Sequence, residues 1–129
     1  MESQLVFLSD LNFNLDVWKR ELKFQESEMD YFEEKLEHVV MRNPGSEILV
    51  QLEGFQNKII REREVMRHLR HRIRMKKREL ALQGQLEKNK DVQFHVHEKQ
   101  VLLKDEMKVF VNMHYQLKER MMDFFLKYL

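Results

Sequence analysis

Arg42-Asn43-Pro44-Gly45-Ser46 is the stretch that decides how this chain folds. It holds the single proline of the sequence and one of its three glycines. Proline lacks an amide hydrogen and stops a helix. Glycine frees the turn, and Ser46 can cap the orphan amides of a following helix. Glu47, in that first turn, suits the positive end of the helix macrodipole. One helix is therefore expected to end here and a second to begin. A softer break follows where Gly84 weakens the helix and Asn89-Lys90-Asp91 offers turn and capping residues. The second turn is placed near 88–91, with an earlier helix end near Gly84 as the alternative. At the front, Ser9 or Asp10 can cap the first helix.

Between these breaks the apolar residues recur at alternating spacings of four and three. The first segment carries Leu11, Leu15, Trp18, Leu22, Gln25, Met29, Phe32, Leu36 and Val39. The second carries Leu52, Phe55, Ile59, Glu62, Met66, Leu69, Ile73, Lys76 and Leu80. The third carries Val96, Gln100, Leu103, Met107, Phe110, His114, Leu117, Met121, Phe124 and Tyr128. Stripes of this period mark amphipathic helices with one buried seam. Helices are expected over about 8–42, 46–88 and 91–128, each roughly 50–60 Å long at helical rise. Short turns between helices of equal length make neighbours antiparallel. The predicted fold is all-α: an antiparallel up-down-up bundle of three long, coiled-coil-like helices in one domain spanning 1–129, with dimerisation as a way to complete it. Phe7-Leu8-Ser9-Asp10 ahead of Leu15 and Trp18 resembles the first helix of a spectrin repeat. The third helix has no matching tryptophan, so the resemblance stops at one helix.

Composition agrees with long helices. Of 129 residues, 43% are hydrophobic and 35% charged, which supplies both seams and solvated faces. Three glycines and one proline are too few for the many turns of a β-sandwich or an α/β domain. The net charge is +1, so the overall balance points to no particular partner. Cysteine is absent, which removes disulfides, thiolate metal sites and a cysteine nucleophile. The N-terminal stretch Met1–Leu8 has no basic region and too short an apolar run for a signal peptide, and no stretch reaches the length of a membrane span. A cytoplasmic protein is expected.

Signatures of common enzymes are missing: no phosphate loop, no nucleophile elbow, no HExxH helix. No catalytic, cofactor-binding or metal-ligating residue is therefore assigned. His68 and His71 share a helix face, but Arg67, Arg70, Arg72 and Arg74 around them oppose a cation. His95 and His97 point to different faces.

Three groups of residues stand out. The run from Arg61 to Arg78 places Arg63, Arg67, Arg70, Arg74, Lys77 and Arg78 along a face about 20 Å long, a candidate surface for nucleic acid or another polyanion. Its ordinary reading is ion pairing with Asp16, Glu21, Glu26 and Glu28 of the first helix and Glu98, Asp105 and Glu106 of the third. The chain's last turns are apolar on nearly every side. Met122, Phe124, Phe125, Leu126 and Leu129, level with Val40 and Leu49, form a candidate partner interface. The nine methionines divide in the same way: Met29, Met66, Met107 and Met121 fall on seams, whereas Met41, Met75, Met113 and Met122 do not.

Gln25, Glu62 and His114 interrupt their seams. Folding at Pro44 sets residue i against about 89 − i, and folding near Asn89 sets it against about 179 − i. The three are then expected to converge in one buried polar layer that fixes helix register. The function expected from all this is a non-enzymatic helical scaffold or protein-interaction module, self-associating, without cofactor, small-molecule substrate or membrane span. The alternative is polyanion binding through the basic face.

Overall fold

The computed structural model describes the backbone of residues 2–83 and 90–129, and the side chains of 9–82 and 96–129. Three helices make up the described chain: α1 (Glu2–Arg42), α2 (Ser46–Gln83) and α3 (Lys90–Tyr128). They hold 41, 38 and 39 residues, so each is about 57–62 Å long. The helices pack as an up-down-up bundle, α1 antiparallel to α2 and parallel to α3. No strand occurs among the described residues. None of the described helices is long and apolar enough to cross a membrane.

α1 starts at Glu2, earlier than the expected position near 8, and Ser9 and Asp10 lie inside it rather than at a cap. No glycine or proline precedes them, and both side chains are exposed. Water satisfies them, so a polar pair does not halt the helix. The expected turn near 88–91 and the alternative near Gly84 fall largely on 84–89, outside the described residues; α3 is already helical at Lys90.

At the first turn, Asn43, Pro44 and Gly45 alone separate α1 from α2. The Gly45 carbonyl accepts from the Leu49 amide at 3.2 Å, so Gly45 caps α2 in place of Ser46. No described residue has a positive φ, and a Cβ on Gly45 would meet open space. Asn43 does the closing. Its backbone amide donates to Val39 O at 2.9 Å, and its side-chain amide donates to Val39 O at 3.2 Å and to Tyr128 O at 2.9 Å. One side chain therefore adds a second donor to a carbonyl in the last turn of α1 and satisfies an orphan carbonyl at the end of α3.

The seams meet along the bundle axis. Leu15, Leu22, Met29, Leu36 and Val39 of α1, Ile59 and Ile73 of α2 and Met121 of α3 are fully buried. Trp18 and Phe55 pack half-buried at the margin of this core. Five polar seam residues are buried with them: Gln25, Glu62, Lys76, Gln100 and His114. Towards the α1 N-terminus, Gln100 Nε2 donates to Leu11 O at 2.8 Å, and Lys76 Nζ donates to Val96 O at 2.9 Å. Burial pushes the Lys76 pKa down, with Glu79 offsetting it only in part.

Burial decides which substitutions this fold tolerates. Leu36→Ala removes a fully buried side chain from the shared seam and is expected to lower unfolding free energy by about 2–5 kcal/mol. Leu82→Ala, at a position 60% exposed on α2, should stay within about 0.5 kcal/mol. Urea unfolding followed by circular dichroism measures both, and equal effects would contradict the assigned seam.

Candidate functional site

The seam of α2 carries Glu62 inward and the seam of α3 carries His114 inward, and the two meet: His114 Nδ1 lies 2.9 Å from Glu62 Oε2. His114 Nε2 lies 3.3 Å from Glu28 Oε1, on α1. Lys118 reaches the other oxygen of Glu28. The histidine side chain is 4% exposed and that of Glu62 8%. Phe110 stacks on the imidazole, with ring centroids 6.2 Å apart. A neutral imidazole has one N–H and can donate to one carboxylate only, whereas the imidazolium serves both. Burial alone would push the His114 pKa down. The hydrogen bond and charge of Glu62, followed by those of Glu28, outweigh it and hold the pKa above its ordinary 6.5.

Gln25 does not join this contact. It is buried, donates to Glu21 Oε1 at 3.1 Å within α1, and leaves its own oxygen without a partner. Glu28, one turn later, takes the place expected of it. Counting from the first turn sets Glu62 level with about residue 27, next to Glu28 and two residues past Gln25. Arg63 was expected level with about residue 26 from the first turn, yet it reaches Asp30 at 2.8 Å and Glu33 at 3.2 Å. Helical side chains lean towards their own N-terminus, which carries a long α2 arginine towards the Pro44 end of α1. The cluster joins two carboxylates, a histidine and a lysine, and it can hold or release a proton; Glu62 also lines grooves of about 390 Å³ and 200 Å³.

The basic face divides in two. Arg63 pairs with Asp30 and Glu33, Arg70 with Glu26 at 2.6 Å, and Lys77 with Asp16. Lys77 holds the Asp16 carboxyl below its ordinary pKa. Arg72 pairs with Glu106 of α3. Arg67 bonds back to Arg63 O at 3.4 Å, and Arg74 and Arg78 are exposed without a carboxylate partner among the described residues. Half of the candidate polyanion face thus serves to attach α2 to α1. Among the described residues no three His, Asp or Glu side chains gather as a metal site.

The apolar tip also divides. Phe124 and Phe125 are buried in their own chain: Phe124 lies 5.1 Å from Phe55 and 5.0 Å from Tyr128, and Phe125 lies 6.2 Å from Phe32, centroid to centroid. They are core, not free interface. Val40 is half-buried against that core, and Leu49 is exposed. Met122, Leu126 and Leu129 remain exposed, Leu126 at 82%. With Tyr31, Phe32, Lys35 and Phe125 they line a groove of about 330 Å³ between α1 and α3.

That groove is the end of a longer feature. Val17, Phe24 and Tyr31 form a seven-residue row on the outer side of α1, with Phe13 beside it, and all four are exposed. Val101, Tyr115, Met122 and Leu129 fall on one row of α3, interrupted by Lys108, and are exposed as well. The two helices run parallel, Tyr31 and Met122 line the same groove, and Phe24 and Tyr115 stand one heptad before them. A second groove of about 390 Å³, lined by Val65, Leu69, Val109, Phe110 and Met113, opens between α2 and α3. It is local, because the α2 row through Val65 continues as Lys58, Arg72 and Glu79.

The raised His114 pKa has a consequence for stability. The unfolded histidine titrates near 6.5 and the folded one above it. The stabilising contribution is therefore full below about 6.5 and is lost as pH rises through the folded value. Unfolding free energy is expected to fall over that window, and His114→Gln should flatten the fall. A proton-NMR titration of His114 with a midpoint below 6.5 would contradict the assignment.

Comparison with known protein families, curated proteins and solved structures finds no match for this chain.

Proposed function

We propose that this chain is a non-enzymatic helical scaffold that binds protein partners by helix-on-helix packing. The observation that carries the reading is the pair of outward heptad rows on α1 and α3, above all Phe24, Tyr31, Tyr115 and Met122. Isolated exposed apolar residues are ordinary on protein surfaces. Two parallel rows at seven-residue spacing are not isolated: they keep the heptad period of the inner seam, facing the other way, with one apolar residue per heptad where the seam has two. Bulky side chains at that spacing match the ridge of another helix. The absence of cysteine agrees with a reducing, cytoplasmic setting.

A second reading, polyanion binding, draws on Arg67, Arg74 and Arg78, whose guanidinium groups are not taken up by carboxylates among the described residues. Salt-sensitive retention on a polyanion column that Arg74→Gln with Arg78→Gln abolishes would favour it.

The scaffold reading is tested by replacing Phe24 and Tyr31 with Ser. Each aromatic contributes on the order of 1.5–3 kcal/mol when buried at an interface, so the double substitution should weaken association at least a hundredfold while leaving helical content unchanged. Light scattering and affinity capture from native extract provide the readouts. A wild-type chain that stays at monomer mass and captures nothing the double variant does not would overturn the reading.

A further inference from the structure

We infer that His114 is a proton-operated latch between α3 and α1. It holds α2 through Nδ1–H whether or not it is charged, holds α1 only while Nε2 carries a proton, and leaves Glu28 to Lys118 when that proton departs. None of these residues belongs to the outer rows of α1 and α3, so the latch is independent of what those rows bind.

The geometry selects which nitrogen lets go. A neutral imidazole keeps one N–H and must choose between its two carboxylates. Three observations favour Glu62. Its oxygen lies 2.9 Å from Nδ1, whereas Glu28 lies 3.3 Å from Nε2. Its side chain is 8% exposed against 18% for Glu28, so an unpaired charge there costs more. It bonds to no other side chain among the described residues, whereas Glu28 has Lys118 on its second oxygen. With the remaining N–H on Nδ1, the neutral ring turns a lone pair on Nε2 towards Glu28 Oε1. Two acceptors repel, and Glu28 swings towards Lys118.

The charges around the ring leave Lys118 alone in that role. Glu28 faces the imidazole from α1, Glu62 from α2, and Lys118 stands one turn further along α3. Lys58 and Arg61 of α2 and Arg120 of α3 line a groove that Glu62 also lines, and none of them bonds to it. Arg63 is drawn away to Asp30 and Glu33, and Gln25 gives its amide to Glu21. Lys118 therefore acts twice. Its charge opposes the imidazolium and favours release of the proton. After release it keeps Glu28 paired and α1 attached.

Nitrogen-15 NMR of the wild-type chain reads both ring nitrogens. Well below pH 6.5 both should be protonated. Well above the measured midpoint Nδ1 should keep its proton and Nε2 should lose it. A neutral ring protonated on Nε2 would overturn the inference. Lys118→Met should raise the midpoint by roughly half a unit to one unit, because a like charge is removed. Crossing the midpoint should then speed amide exchange, corrected for intrinsic rate, around Glu28 of α1 by roughly threefold or more over wild type, and leave the α2 amides around Glu62 unchanged. An unmoved midpoint, or equal loss of protection on α2, would also overturn it. The wild-type tautomer decides the question even where a variant fails to fold.

Discussion

The contact among His114, Glu62 and Glu28 constrains the bundle more tightly than any apolar layer. Three helices of about 40 residues, each with a repeating apolar stripe, can slide by a heptad and still present leucine, methionine or phenylalanine to one another. Sliding α3 against α2 by one heptad would separate His114 from Glu62 and leave a buried carboxylate facing hydrocarbon. Breaking a buried charged pair in this way costs about 3–5 kcal/mol, a large part of a small bundle's net stability. Because the two ring nitrogens of His114 face carboxylates on both other helices, one residue sets two registers together. Gln100 to Leu11 O and Asn43 to Tyr128 O then hold α3 to α1 near its two ends.

The ion pairs on the α1–α2 margin follow from that register. Arg63, Arg70 and Lys77 recur every seven residues on the flank of α2, and the acidic residues of α1 that receive them are Glu33, Asp30, Glu26 and Asp16, in descending order as the antiparallel run requires. These pairs are half-exposed and contribute about 0.2–1 kcal/mol each. Their effect is on specificity: a shifted α2 would place guanidinium groups against Lys19 or Lys23.

Much of this architecture was legible in the sequence, because its signals are local or periodic. Pro44 stops a helix whatever surrounds it, and the four-three rhythm marks the inner seam in all three segments. The approach of Glu62 to His114 followed from counting residues from the turns. Other features needed three dimensions. Glu28 is one residue from Met29 and reads as an ion-pair partner for the basic run of α2; it pairs instead with His114 and Lys118 of α3. Lys76 and Gln100 sit on the seam in plain sight, yet their acceptors are helical carbonyls, Val96 O and Leu11 O, and a carbonyl has no signature in sequence. Phe124 and Phe125 are adjacent, and one helix face cannot bury both, so the chain's end reads as too apolar for one bundle. Phe55 and Phe32 come from different helices and receive one each.

The outer rows of α1 and α3 differ from the inner seam in one physical respect. The inner seam contains buried polar groups that penalise a wrong register, and Val17-Phe24-Tyr31 and Tyr115-Met122-Leu129 contain none. Apolar contact is non-directional and tolerates sliding. Charge beside these rows is partly taken up inside the chain, where Lys118 pairs with Glu28. Marginal charges are screened by salt and act mainly on the rate of encounter and the choice of orientation. The inner seam is thus held in register by a buried polar cluster, and the outer rows carry no buried polar group that would do the same.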